Sequence, residues 1–182
     1  MNKIETTLGI IHKSKGSALY KCADTSVLCT VDFNNRHEQS KIEEYDKLSI
    51  DIKFRNINNK SYDEYYSTLI KSVLKKCILN IDICKSVYIN LIVDSTSSNT
   101  LWCSINALFL GLIECGIPLE YSLYASTSFT NKEDVFLYDK TGKLIWYHGF
   151  CNIKSINMDS VYEFYKYVKE VQDFTIKKNL TI

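Results

Sequence analysis

The chain has a single proline, six glycines and no uncharged apolar run of the ~18 residues that a membrane helix needs. No Cys-x-x-Cys pair occurs, and His12, His37 and His148 are too scattered to hold a metal together. Charge of one sign is also missing: 22 Lys and Arg stand against 21 Asp and Glu, a net +1 at pH 7. Each absence excludes something. A membrane span is not expected, a zinc site is not expected, and no cofactor is implied. A near-neutral chain has no global field for nucleic acid, so any RNA contact must be a local patch or be shared with partner chains. Residues 1–7 lack the apolar core of a signal peptide. The seven cysteines are odd in number and fall mostly inside apolar periodic segments, where a thiol behaves as a small hydrophobe. They predict a reduced, intracellular protein without a disulfide framework.

What is present is a sizeable core, with 46% apolar residues in 182, enough for one domain spanning residues 1–182. Residues 98–119 are the most telling stretch. Leu101, Ile105, Leu108, Phe109, Leu112 and Ile113 recur at helical spacing, with Ser98 or Asn99 placed to cap the first turn. Gly116 suits a left-handed stop and Pro118 forbids continuation. Ser104, Asn106 and Glu114 are the only polar face expected of this helix, which therefore belongs between two layers. Ala107 and Gly111 leave a slim strip where another backbone can come close.

Strands are expected at 4–12 and 17–33, with turns at Gly16-Ser17 and Ala23-Asp24-Thr25. Leu48, Ile50, Ile52 and Phe54 alternate with polar residues, as in a half-buried strand. Ser61 with Glu64, and Ser160 with Glu163, have capping-box spacing ahead of amphipathic helices. Lys71, Lys75 and Lys76 fall on the solvent face of the first of these. Further strands are expected at 87–93, 135–138 and 143–147, the last two joined by a hairpin at Asp139 to Gly142. Hairpins mixed with helical crossovers make an α+β fold, helices packed on a mostly antiparallel or mixed sheet.

Two segments together resemble the RNase PH family. One is Gly16-Ser17-Ala18 followed by Asp24-Thr25-Ser26-Val27-Leu28; the other is Cys103-Ser104-Ile105-Asn106-Ala107 through Glu114-Cys115-Gly116-Ile117-Pro118. Their order, their separation and the hairpin at Asp139 to Lys143 also fit. The resemblance covers residues 5–180 and implies the RNase PH-type (ribosomal protein S5 domain 2-like) fold. Active members release nucleotides from RNA 3′ ends by phosphorolysis, which needs an anion site and paired carboxylates.

At both places this chain departs from the family. The phosphate loop is replaced by Ser97, Ser98, Asn99 and Thr100, and the family arginine aligns with Leu101, which cannot form a bidentate fork to phosphate. The family's two aspartates lie six apart. Here Glu133 or Asp134 can stand for the second, but six positions back are Thr127 and Ser128. The resemblance therefore implies a non-catalytic subunit of the eukaryotic RNA exosome ring. Its expected partners are other RNase PH-like ring subunits, S1/KH-type cap subunits and RNA in their shared channel, in nucleus, nucleolus and cytoplasm. Arg36, His37 and Lys41 are the candidate RNA contacts, holding phosphates without reading bases. Thirteen tyrosines are apt material for interfaces. The alternative is an active phosphate-dependent 3′–5′ exoribonuclease. A small-molecule kinase on a similar scaffold would need a glycine-rich phosphate loop, and none is present.

Overall fold

The computed structural model describes residues 3–35, 49–79, 85–128, 133–149 and 156–180. Strands β1 (Ile4–Leu8), β2 (Gly16–Cys22) and β3 (Thr25–Asn35) form an antiparallel meander. Then come β4 (Ser49–Asn56), helix α1 (Asp63–Cys77) and β5 (Lys85–Asp94). Strand β5 runs antiparallel to β3 and parallel to β4, which gives a mixed sheet in the order β1-β2-β3-β5-β4. Helix α2 (Thr100–Glu114) leads to a second, antiparallel sheet of β6 (Tyr124–Thr127), β7 (Val135–Tyr138) and β8 (Leu144–His148). The closing helix α3 (Met158–Leu180) packs on β6 and reaches β1. The α+β class and the mixed sheet expected from the sequence are both present.

Period-two patterning decides which sheet face is wet. In β4, Ile50, Ile52 and Phe54 are buried while Asp51, Lys53 and Arg55 are exposed. Helix α2 has no wet face: every residue from Thr100 to Leu112 is buried, between β2 and β3 on one side and β6 on the other. Its polar residues pay for that burial with specific bonds. Ser104 Oγ donates to the Thr100 carbonyl at 2.7 Å. The Asn106 amide copies a strand edge: its Nδ2 donates to the Ala125 carbonyl and its Oδ1 accepts from the Ala125 N–H, both at 2.9 Å. Gln172 Nε2 of α3 adds a bond to the same Oδ1 at 2.7 Å. Ser104 and Asn106, expected on a polar face, are in fact interior, and Asn106 joins α2, β6 and α3.

The two segments that carry the family resemblance meet in space. Gly16 lies so close to α2 that an added Cβ would stand 2.3 Å from the Gly111 carbonyl oxygen. Beside it, the Ser17 N–H donates to the Glu114 carboxylate, and Ser17 Oγ accepts from the Ile11 N–H at 2.9 Å. Of the slim strip expected at Ala107 and Gly111, the Gly111 end receives β3, since a Cβ built there would stand 3.1 Å from Cys29 Sγ and 3.2 Å from Val31 Cγ2. At the helix end, Gly116 (φ +72°) donates to the Ile113 carbonyl and Ile117 to that of Leu112, each at 3.0 Å, a Schellman stop.

The helix starts differ from expectation. Asn99 precedes α2 without capping an amide; its Oδ1 accepts from the Trp102 indole instead, at 3.2 Å. Helix α1 begins at Asp63 after Tyr62, without a Ser61–Glu64 box, and Asp63 Oδ1 accepts from the Asn56 N–H at 3.0 Å, which ties the helix to β4. Helix α3 begins two residues before Ser160, and Asn157 Oδ1 accepts from the Ser160 N–H at 3.3 Å.

Candidate functional site

The loop at the start of α2 is built from hydroxyls that bind one another. Thr25 Oγ1, at the start of β3, lies 2.8 Å from both Ser95 Oγ and Ser97 Oγ. Ser95 Oγ accepts from the Ser97 N–H at 3.1 Å, and Ser97 Oγ from the Asn99 N–H at 3.3 Å. Asn56 Nδ2, at the end of β4, fixes the Ser95 carbonyl at 3.1 Å, and Thr100 Oγ1 donates to the Ser97 carbonyl at 3.0 Å. Two of the loop amides are therefore already spent on serine oxygens. Of the sequence-derived loop residues, Ser98 is exposed, Ser97 half-buried, and Asn99 and Thr100 buried.

Leu101, which the family resemblance aligns with an arginine, is 3% exposed and belongs to the core. The sequence has no Lys, Arg or His between Lys85 and Lys132. Neither the loop nor α2 thus carries a cation toward an incoming phosphate, and of these two elements only the helix N-terminus attracts an anion.

The acidic pair before β7 splits. Asp134 is fully buried, as is all of β7 that follows it, whereas Glu133, in the turn before it, is exposed. Asp134 Oδ1 accepts from the Tyr147 hydroxyl at 3.4 Å. Gly149 lies directly over it, since an added Cβ there would stand 2.0 Å from the same oxygen. Burial lowers the pKa of His148, and the Asp134 carboxylate opposes that shift. Six residues before Asp134, Ser128 is buried, as is its neighbour Thr127. Among the described residues no group of three His, Cys, Asp or Glu could hold a metal ion. Arg36, His37 and Lys41 lie outside the described residues.

One feature was not read from the sequence. A chain of rings runs from the first turns of α1 to β8. Tyr62 and Tyr65 each contact Tyr66, with centroids 5.9 and 5.7 Å apart, and Tyr66 packs on Phe54 at 5.4 Å. The Tyr65 hydroxyl is 3.1 Å from His148 Nε2, and Trp146 lies nearly parallel to His148, with centroids 5.7 Å apart. Tyr62 and Tyr65 are 55% and 47% exposed. Burial, and secondly the Glu133 charge, raise the pKa of Tyr66. The available signal was Tyr62 and Tyr65, three apart on the polar side of an amphipathic helix. No local pattern in the sequence marks His148 as their neighbour.

Comparison with known proteins gives a family and a fold. The 3′ exoribonuclease family, domain 1 (RNase PH), matches residues 1–118. No curated protein matches the sequence. Among solved structures, rice (Oryza sativa) Rrp46 is similar with a TM-score of 0.74 at 20% identity, over 97% of this chain and 94% of that one. An archaeal exosome core matches with a TM-score of 0.70 at 14% identity, over 95% of this chain and 86% of that one. The Archaeoglobus fulgidus exosome with RNA bound to the active site matches with a TM-score of 0.67 at 13% identity, over 94% and 87%. At these identities the structures testify to the fold.

Proposed function

The chain belongs to the RNase PH family of 3′ exoribonucleases, and from that premise we propose that it is a non-catalytic subunit of an exosome-type ring. It would help to wall the channel through which RNA 3′ ends reach a separate nuclease. The buried Leu101 carries this reading, because a leucine in the core leaves the phosphate loop without the guanidinium that would grip an anion. The internally bonded Thr25, Ser95 and Ser97, and Asp134 as the one buried carboxylate among the described residues, support it. The likeness to Rrp46 and to two archaeal exosome structures supports the ring assembly. Partners would be other RNase PH-like subunits and S1/KH-type caps, with RNA in the shared channel. Its place would be the nucleus, nucleolus and cytoplasm.

Affinity purification of the tagged chain, followed by identification of the co-purifying proteins, tests the assembly. The reading expects the other ring and cap subunits in fixed ratio; recovery of monomer alone overturns it. One observation favours the second reading, an active phosphorolytic exoribonuclease: Asp134 is a buried carboxylate beside His148 and Tyr147, an environment suited to proton chemistry. That reading requires phosphate-dependent release of nucleoside diphosphates from RNA.

A further inference from the structure

Strand β2 lies along α2 in a definite register. Gly16 meets the Gly111 carbonyl, the Tyr20 ring stands edge-on to Trp102 at 6.0 Å, and the Tyr20 hydroxyl accepts from Asn106 Nδ2 at 3.4 Å. Gly16, Ala18, Tyr20 and Cys22 alternate onto one buried face of the strand. Cys22, the next inward residue after Tyr20, therefore reaches the first turn of the helix. There it meets Cys103, and the two thiols are hydrogen-bonded to each other. Both are reduced and buried, 2% and 0% exposed. The thiols at the far end of the helix are placed differently: Cys115 Sγ donates to the Val31 carbonyl at 3.9 Å, and Cys29 Sγ lies under Gly111. A thiol that only fills space as a small hydrophobe needs no second sulfur beside it.

We propose that Cys22 and Cys103 are a redox pair, which hydrogen peroxide converts to a disulfide that pins β2 to the start of α2. Cys22 borders the exposed turn at Ala23 and Asp24, so it is the thiol that a small peroxide meets first. Its thiolate attacks one peroxide oxygen, the O–O bond breaks, and a sulfenic acid and one water result. Cys103 then attacks the Cys22 sulfur; the S–S bond forms, the S–O bond breaks, and the departing oxygen takes the released proton as a second water. Two electrons pass from the sulfurs to the peroxide, so two thiols and one peroxide give one disulfide and two waters. Burial, then the Cys22 thiol and the Asp24 charge, hold the Cys103 thiol well above its ordinary pKa. The pair therefore stays reduced under ordinary intracellular conditions and reacts only under sustained peroxide. Thr25 stands three residues beyond Cys22, and Ser97 and Asn99 just precede α2, so the bond would fasten the hydroxyl-lined loop from both sides.

The pair needs no partner subunit, so it does not stand or fall with the exosome assignment. The full folded chain is treated with hydrogen peroxide, both as the parent and as Cys115→Ser, which removes the partly exposed thiol from competition. Remaining thiols are alkylated, and peptides are mapped by mass spectrometry without reduction. The expected product is a peptide joining Cys22 to Cys103, two hydrogens lighter than its separate halves and split by dithiothreitol. The bond closes a loop of about eighty residues, so the thermal midpoint should rise by about 5–15 °C and fall back on reduction. Cys103→Ala should lose both the joined peptide and the rise, and leave Cys22 as a sulfenic acid that dimedone captures. Cys22→Ser gives the same loss of peptide and rise from the strand side, so the result does not hang on the folding of one variant. Recovery of Cys22 and Cys103 as alkylated thiols after peroxide overturns the proposal. So does the joining of either to another cysteine instead, or a joined peptide that forms only in urea. Failure to recover ring subunits by affinity purification would count against the assembly reading and leave this result untouched.

Discussion

Gly16→Ala is the sharpest test of how α2 sits on the sheet. The new Cβ would lie 2.3 Å from the Gly111 carbonyl oxygen, 2.7 Å from the Cys115 nitrogen and 2.7 Å from Cys115 Cβ. All three atoms belong to the helix backbone or its first carbon, so no side chain can swing aside. Relief requires β2 and α2 to separate by about 1 Å, and close-packed interiors lose contacts steeply over such a gap. Gly111 could not follow freely, because its own Cα faces Cys29 Sγ and Val31 Cγ2, 3.1 and 3.2 Å from a built Cβ. Overpacking of this kind costs up to about 3 kcal/mol. For a chain of this size that lowers the thermal midpoint by about 6–12 °C. Gly116→Ala is the control: nothing lies within 4 Å of its Cβ, and only its positive φ is at stake, about 1 kcal/mol. Thermal and urea unfolding of the two variants should therefore rank Gly16→Ala well below Gly116→Ala. Equal midpoints, or a Gly16→Ala variant as stable as the parent, would refute the close approach of β2 to α2.

Three further predictions rest on other parts of the core. Asn106→Leu strands the Ala125 N–H and carbonyl and the Gln172 amide at once, and should cost more than about 3 kcal/mol by urea unfolding. A cost under 1 kcal/mol would mean that the network does not hold β6. Ala23, at φ +53° in the β2–β3 turn, is the one described non-glycine residue with positive φ. Ala23→Gly should leave stability unchanged or raise it by up to about 1 kcal/mol, and a loss would contradict the strained turn. Burial raises the pKa of the Cys29 and Cys103 thiols above 9.0, and burial first among several causes raises Tyr165 from 10.0 to about 12. Groups whose folded pKa is raised contribute stability that is full below the unfolded pKa and falls as pH rises beyond it. Urea midpoints should thus hold from pH 7 to about 8.5 and decline above pH 9; a flat profile to pH 10.5 would contradict this burial.

The sequence made the layers legible because apolar periodicity is a burial signal. Leu101 to Ile113 marked α2, the alternation of β4 marked its wet and dry faces, and Gly116 marked the helix end. What stayed hidden was polar. Asn106 and Ser104 look like surface residues in any helical projection, and only the approach of β6 and Gln172 turns Asn106 into a core residue. The helix starts moved because Asx and hydroxyl side chains have several nearby partners of similar energy; Asn99 went to the Trp102 indole and Asp63 to the end of β4. At the candidate site, the resemblance that aligns Leu101 with a family arginine is read in one dimension, and the burial of Leu101 follows from its helical spacing. That Thr25, from another strand, completes the hydroxyl cluster with Ser95 and Ser97 was not legible there. The Tyr65–His148 contact spans 83 residues, and no local pattern could have announced it.

The central claim is that the α2 loop and Asp134 do not carry out phosphorolysis. The direct measurement is release of nucleoside diphosphates from a single-stranded RNA, with and without inorganic phosphate, by the assembled complex holding either the parent chain or Asp134→Asn. The account predicts the same release from both complexes, whatever other subunits contribute. Phosphate-dependent release that disappears with Asp134→Asn, while the complex stays intact, would contradict it.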